Sequence, residues 1–122
     1  MAYDSPDYLI RREVAFETAA GAAAVGCKFM QYQAFKLKAV HVQVTTAGTS
    51  AAAGNCVIVK SGTTALATAT LGSSTAGVTT SITINTDVPS LTALTCTNGT
   101  DATGKALVVY EYEVLPTAVE TA

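Results

Sequence analysis

The sequence predicts an all-β fold, an antiparallel β-sandwich or jelly roll of about seven or eight strands. Apolar and polar residues alternate over most of the chain after Cys27, which is the period of a strand with one buried face. Gly, Ser and Asn turn signals separate these segments at roughly 8–12-residue spacing, as in sandwiches and jelly rolls. No segment has a convincing helical pattern, which argues against a βαβ fold.

Strands are expected where the alternation is bounded by turn signals. The expected strands are 14–18, Cys27–Gln33, Phe35–Thr46, Cys56–Lys60, Thr64–Leu71, Val78–Ile84, Leu91–Thr97 and Lys105–Val114. A tight turn at Ser61-Gly62 makes a hairpin of the fourth and fifth strands. Residues 85–90, which include Pro89, are expected to turn the chain.

The chain is expected to have two parts, an N-terminal arm and loop at residues 1–26 and the sandwich or jelly-roll domain at residues 27–122. Residues 1–13 combine two Tyr, a Ser5-Pro6 turn signal and the Arg11-Arg12 pair, a pattern too irregular for a helix. We expect this segment to become ordered by lying on another surface.

The long strand Phe35–Thr46 changes its apolar phase. Phe35, Leu37 and Ala39 share one face, whereas the valines that begin at Val40 share the opposite face. A strand cannot exchange its core face without a device, so we predict a bulge, or a switch of the covered face, near Ala39–Val40.

Composition restricts the function. The 122 residues include 22 Ala and 20 Thr but one His and no Trp; 13% are charged and the net charge is −2. No basic surplus is available to neutralise phosphates, and no apolar run reaches the roughly 18 residues of a membrane helix, so neither nucleic acid nor membrane is an expected partner. We expect no catalytic residue, no metal and no cofactor, and therefore not an enzyme.

Two patterns imitate functional sites. Gly99–Lys105 matches most of a phosphate-binding loop, but Ala106 stands where Ser or Thr would hold magnesium, and a strand follows instead of a helix. We interpret it as a turn. His41 lies in mid-strand, where we expect a satisfied ring and no catalytic or ligand role.

The cysteines and two tyrosines are also expected to be structural. Cys27, Cys56 and Cys96 lack metal-site spacing, so we predict three free thiols packed as small hydrophobes; one disulfide with a leftover thiol is the alternative. Tyr110 and Tyr112 share a face and are predicted to lie in the core or a subunit interface, not on a sugar-stacking platform.

Charge is distributed unevenly along the chain. Residues 39–104 contain only Lys60, Asp87 and Asp101 as charged residues. Free β-domains usually protect their edges with Lys, Glu or Pro. We therefore expect partner subunits to cover much of this Thr/Ala surface; the alternative is a single domain kept soluble by its hydroxyl groups.

Two segments resemble the small head decoration (cement) proteins of tailed bacteriophages. They are Phe35–Gly72, with the hairpin K-S-G-T-T, and Asp101–Pro116, with the strand G-K-A-L-V-V-Y-E-Y. The similarity covers most of the chain beyond about residue 27. It lies in Thr-, Ala- and Gly-rich strands, which phage fibres and virion appendages share. It implies a protein made in the host cytoplasm that joins the capsid surface of the virion, where it bridges neighbouring major capsid proteins and stabilises the icosahedral head.

The resemblance also implies the partners, which are the major capsid protein and two further copies of this chain in a homotrimer. The alternative function is a fibre, tail or surface adhesin domain that binds host glycan, whose loops would ordinarily expose aromatic residues. A small cupin-like enzyme is a third hypothesis. Because Tyr and Arg are enriched at binding hot spots, the capsid contact is expected on the N-terminal arm, at Tyr3, Asp4, Tyr8, Arg11 and Arg12.

Overall fold

Eight strands form the regular structure of residues 11–49, 52, 54–72 and 74–114, which are the residues that this computed structural model describes. They make two four-stranded antiparallel sheets, the first in the order β1-β8-β3-β6 and the second in the order β2-β7-β4-β5. The predicted all-β sandwich is therefore confirmed. The strands are β1 (Arg11–Glu17), β2 (Val25–Phe29), β3 (Phe35–Thr46), β4 (Cys56–Ser61), β5 (Thr64–Thr70), β6 (Thr79–Val88), β7 (Leu94–Asn98) and β8 (Lys105–Val114).

The strand order is that of a jelly roll. Each strand in the first half of the chain pairs with its counterpart in the second half: β1 with β8, β2 with β7, β3 with β6 and β4 with β5. Successive pairs lie in alternate sheets, as in a long antiparallel ribbon that is folded over on itself. The two outermost strands of the chain are consequently neighbours in the first sheet.

This topology divides the connections between two ends of the sandwich. We call one the termini end, because β1 begins there and β8 ends there, with Arg11 opposite Glu113. The β2–β3, β4–β5 and β6–β7 connections lie at the same end, since Phe35 of β3 pairs with Val114. The other four connections lie at the far end.

The N-terminal strand belongs to the sandwich. All seven residues of β1 pair with β8, from Arg11 to Glu17. Residues 1–26, which the sequence assigns to an N-terminal arm and loop, thus contain the whole of β1 and the first two residues of β2. The physical reason is that Val14 and Phe16 point inward and pack against the core, which gives this segment a buried face.

The bounds of β3 and β8 are as predicted, and those of the other six strands differ by one to four residues at an end, most of all in β2 and β6. β2 is Val25–Phe29, not Cys27–Gln33, because the chain must leave the second sheet after Phe29 to enter β3 in the first. β6 continues to Val88, so the turn expected at residues 85–90 is wrong for its first four residues. Asn85 does adopt a positive φ of 53°. That residue lies in an irregular part of the β3–β6 register, after which β6 resumes pairing with β3.

The predicted bulge in β3 is confirmed. Leu37 pairs with Tyr112 and Ala39 with Glu111, so Lys38 is an extra residue in β3 relative to β8. Phe35 and Leu37 are fully buried before the bulge, and the valines from Val40 onward are buried after it. The bulge keeps both halves of the strand facing the core.

The core between the sheets centres on five aromatic rings. Neighbouring centroids lie between 5.2 and 6.1 Å apart, in tilted, edge-to-face and stacked arrangements. Such pairs contribute about 0.5–1.5 kcal/mol each beyond the burial of their area. The rings are Phe16, Phe29, Phe35, Tyr110 and Tyr112.

The hydroxyl of Tyr110 joins the two sheets. It donates to the carbonyl oxygen of Cys27 at 2.7 Å and lies within hydrogen-bonding distance, 3.1 Å, of the sulfur of Cys96. Cys27 falls in the irregular part of the β2–β7 pairing, between Gly26 and Phe29, and has a φ of 51°. The Tyr110 hydroxyl therefore satisfies a buried carbonyl that the bulge removes from the regular ladder. Burial raises the pKa of Tyr110 well above its usual value.

Deletion of Lys38 should prevent cooperative folding. Without the extra residue, Phe35 and Leu37 would face solvent whenever the rest of β3 keeps its register, and loss of each buried side chain costs about 2–5 kcal/mol. The combined loss from Phe35 and Leu37 is comparable to the whole free energy of unfolding of a domain, which is about 5–15 kcal/mol. Circular dichroism during heating measures the loss. Lys38→Ala is the control, because it removes only the 4.0 Å ion pair with Glu113; a deletion variant that melts like this control would contradict the prediction.

Replacement of Tyr110 by Phe should destabilise the protein by about 1–3 kcal/mol at pH 7, because the Cys27 carbonyl stays buried without its donor. Since the pKa of Tyr110 is raised in the folded protein, the unfolded chain loses this proton first as pH rises past about 10. The contribution of Tyr110 is then present below pH 10 and declines above it, by about 1.4 kcal/mol per pH unit.

Urea denaturation at pH 7, 9 and 11 measures this effect. The stability difference between wild type and Tyr110→Phe should narrow between pH 9 and 11. Tyr32→Phe is the matched control, because the Tyr32 side chain is 81% exposed. A difference that stays constant with pH would contradict the assigned role of Tyr110.

Candidate functional site

The outer faces of the two sheets differ in charge. The strands of the second sheet contain only two charged residues, Lys28 and Lys60. One row across its outer face runs from Val25 through Thr97 and Ile58 to Thr68. The first sheet, by contrast, carries polar contacts between neighbouring strands. Three are ion pairs, Lys36–Asp87 (3.9 Å), Lys38–Glu113 (4.0 Å) and Lys105–Glu17 (3.9 Å), and the fourth is the His41–Glu111 hydrogen bond (3.2 Å).

Large apolar side chains are exposed on two loops of the termini end. Met30 (56% exposed) and Tyr32 (81%) lie on the β2–β3 loop, and Leu91 (57%) lies on the β6–β7 loop. An isolated exposed apolar residue is ordinary, but an adjoining group of them marks a candidate contact surface.

Hydrogen bonds hold these two loops together. The backbone N–H of Leu91 donates to the Gln31 carbonyl at 2.9 Å, and the Ser90 hydroxyl donates to the Tyr32 carbonyl. The side-chain amide of Gln31 in turn donates to the Tyr112 hydroxyl at 3.0 Å, which anchors the β2–β3 loop to β8. The exposed side chains are therefore presented on a backbone that is already ordered.

A pocket of about 320 Å³ adjoins Tyr32. It is lined by Arg12, Gln31, Tyr32, Gln33 and Val114. Its wall thus comes from the start of β1, the end of β8 and the loop between β2 and β3. We call Arg12, Met30, Tyr32, Leu91 and this pocket the termini-end surface; it combines an aromatic ring, a cation, amides and aliphatic side chains.

The structure locates two of the five residues predicted to contact the capsid. Arg12 is exposed and lines the pocket. Arg11 is the first residue of β1 and pairs with Glu113 at the same end. Tyr3, Asp4 and Tyr8 lie outside the described residues.

Sequence reasoning missed Met30, Tyr32 and Leu91. The alternation in F-M-Q-Y-Q predicts the end of the strand Cys27–Gln33, and Leu91 is the predicted first residue of the strand Leu91–Thr97. The available signal was the amide pair around Tyr32. Gln-Tyr-Gln just before the start of β3 would suit a loop at a sheet crossing, whereas the loops at the far end consist mainly of Ala, Gly, Ser and Thr.

A second, smaller concavity of about 220 Å³ lies on the outer face of the first sheet, between Ala15, His41, Gln43, Thr79, Leu107 and Val109. One ring nitrogen of His41 is 2.8 Å from the Ser81 hydroxyl and the other 3.2 Å from a Glu111 carboxylate oxygen. The predicted satisfied ring is confirmed. These side chains are cross-strand neighbours on an open sheet face, where such polar pairs stabilise strand pairing.

The other predicted structural residues behave as expected. The three cysteines are free and buried, and Tyr110 and Tyr112 belong to the core. Gly99–Lys105 leads into a strand, and Gly99 packs so closely that a Cβ there would lie 2.1 Å from the Gly54 carbonyl oxygen. The turn interpretation is therefore confirmed.

Comparisons with models of known protein families and with curated proteins gave no match. Within the part of the chain that the structure describes, no group of three or more His, Cys, Asp or Glu side chains is placed to hold a metal ion. Those residues also include no helix long and apolar enough to cross a membrane. The function is therefore inferred from the fold and from the chemistry of its surfaces.

Proposed function

We propose that this protein is a structural component of a bacteriophage virion, which decorates and stabilises the icosahedral capsid by bridging neighbouring major capsid proteins. The observation that carries the proposal is the termini-end surface, where exposed Tyr32, Met30 and Leu91 adjoin Arg12 on loops held by hydrogen bonds. The resemblance of its Thr-, Ala- and Gly-rich strands to those of head decoration proteins supports the same function.

The termini-end surface suits a protein partner energetically. Full burial of one large apolar side chain is worth about 1.5–3 kcal/mol, and Tyr and Arg are enriched among residues that dominate binding. Loops that are ordered before binding lose little conformational entropy when they bind. Three copies of the termini-end surface on one trimer, each of moderate affinity, would bind a repetitive shell with strong avidity.

The outer face of the second sheet is the surface we assign to contacts between copies in a homotrimer. Its central row is Val25, Thr97, Ile58 and Thr68, and Val25 is 48% exposed. Permanent subunit interfaces commonly bury about 2,000 Å² or more and are less charged than the rest of the surface. A face with so few charges can be covered without stripping water from ions.

Cosedimentation with expanded empty heads tests the capsid contact. The wild-type protein should bind the heads and raise their melting temperature. The triple variant Met30→Ser, Tyr32→Ser, Leu91→Ser should bind at least about 100-fold more weakly, because each tenfold loss needs only about 1.4 kcal/mol. Its own stability should change by less than about 1.5 kcal/mol, since the replaced side chains are mostly exposed.

Val78→Ser is the matched control, because Val78 is an exposed apolar residue (43%) on the far end of the sandwich. It should bind heads like the wild type. Failure of the wild-type protein to associate with heads would refute the proposed function. Equal weakening by Val78→Ser would refute the assignment to the termini end. For the trimer, equilibrium sedimentation should give the mass of three chains, and a single stable monomer would refute that assignment.

A glycan-binding domain of a fibre or adhesin is the second candidate, and one observation favours it. Tyr32 stands exposed beside a pocket that also contains Arg12, Gln31 and Gln33, and sugars stack on aromatic faces while amides and guanidinium groups bond their hydroxyls. A glycan array with wild type and Tyr32→Ser distinguishes the two functions. A reproducible signal that the variant loses, together with no binding to heads, would favour the glycan function.

A further inference from the structure

Two of the three buried cysteines are neighbours in the core. Gly26 of β2 lies directly opposite Cys96 of β7, so Cys27 is one residue from that position. In a regular strand the next side chain would point to the opposite face. The irregular register and the positive φ of Cys27 instead turn its side chain inward, where it is only 5% exposed. Cys56, in β4, is the third buried cysteine.

The Tyr110 hydroxyl brings the pair together. It lies 3.1 Å from the sulfur of Cys96 and donates to the carbonyl of Cys27 itself at 2.7 Å. The Cys27 sulfur is also 3.8 Å from the carbonyl oxygen of Phe16. Interaction between the two cysteine side chains raises the pKa of Cys27, and the same interaction lowers the pKa of Cys96.

We propose that Cys27 and Cys96 form an intramolecular disulfide site, which is reduced in this structure and closes under oxidising conditions without rearrangement of either sheet. A strained positive φ at a non-glycine residue is a feature that often accompanies a special role. The register places Cys27 one residue beyond the Gly26–Cys96 pair, diagonally opposite Cys96 on the adjacent strand, a separation within the range of Cα distances that disulfides use. The positive φ turns the Cys27 side chain to the same buried face as that of Cys96.

A peroxide is sufficient as the oxidant. Because Cys96 is fully buried, the peroxide reaches its sulfur when the short, incompletely paired β2 opens transiently. The sulfur of Cys96, as thiolate, attacks one peroxide oxygen; the S–O bond forms, the O–O bond breaks, and the released hydroxide takes a proton to leave as water. The sulfur of Cys27 then attacks the sulfenic acid. The S–S bond forms, the S–O bond breaks, and the hydroxyl leaves with the Cys27 proton as a second water. In total two thiols are oxidised, one peroxide is reduced to two waters, and Tyr110 keeps its carbonyl acceptor.

The bond would strengthen the most weakly paired strand of the second sheet. β2 has five residues, and only Val25, Gly26 and Phe29 have partners in β7. A covalent link at Cys27 would join this strand to β7 across its bulge. The link also closes a long loop of chain, and disulfides that close long loops restrict the unfolded state most. The inference does not depend on the proposed function.

Trypsin digestion provides a direct test, because it separates the three cysteines. Cleavage after Lys and Arg leaves Cys27 in residues 13–28, Cys56 in residues 39–60 and Cys96 in residues 61–105. The folded full-length protein is treated with hydrogen peroxide, and remaining thiols are blocked before digestion. Mass spectrometry should find residues 13–28 linked to 61–105. The melting temperature of the oxidised protein should rise by at least about 5 °C over that of the reduced protein.

Cys27→Ser and Cys96→Ser should each abolish both the link and the rise, whereas Cys56→Ser, the matched control, should retain both. If a serine variant fails to fold, the linked peptide and the melting temperature of the oxidised wild-type protein still test the proposal, because neither measurement needs a variant. Three results would overturn the proposal: no linked peptide from folded protein, a link that involves Cys56, or a Cys27–Cys96 link that leaves the melting temperature unchanged.

Discussion

The packing of the two sheets depends on the hydroxyl group of Tyr110. It is the polar end of a fully buried ring that extends from the first sheet and meets backbone and thiol groups of the second. Apolar packing between sheets has little directionality, so it alone tolerates small shifts of one sheet over the other. A buried hydroxyl that must find one particular carbonyl restricts those shifts, because an unpaired carbonyl at that depth costs about 1–3 kcal/mol.

That restriction explains why β2 can be short and irregular. Its bulge takes Cys27 out of the regular pairing and would leave a buried carbonyl without a donor. Tyr110 supplies the donor, and the aromatic rings around it, with Phe29 of β2 among them, supply the packing. The irregularity that weakens strand pairing also brings Cys27 next to Cys96. One local feature thus accounts for the inter-sheet hydrogen bond and for the disulfide site that we infer.

Jelly-roll topology links the two proposed interaction surfaces to different parts of the fold. Because β1 pairs with β8, both ends of the described chain meet three connections at one end of the sandwich. The crossing from the second sheet to the first makes Met30 and Tyr32 part of a loop there. The uncharged outer face, by contrast, belongs to the second sheet. A protein built this way can contact one partner with its end and copies of itself with its face.

Residue patterns were sufficient for the fold class, the bounds of β3 and β8, and a bulge near Ala39–Val40, which the structure places at Lys38. Each of these features depends on which neighbouring side chains are apolar. Because a strand buries one face, its apolar and polar residues alternate in the sequence. The buried, structural character of the cysteines and of Tyr110 followed from the same pattern. Arg12 could be suggested as a contact residue from its chemistry alone.

Long-range packing was needed for the rest. The start of β1 and the continuation of β6 to Val88 depend on pairing with strands far away in sequence, which overrides the local turn signal around Asn85. The exposure of Tyr32 depends on where the chain changes sheets, and the Cys27–Cys96 contact on a bulge with a positive φ. Alternation records which residues are buried, but it carries no information about which strand becomes the neighbour. That choice comes from the free energy of the whole sandwich.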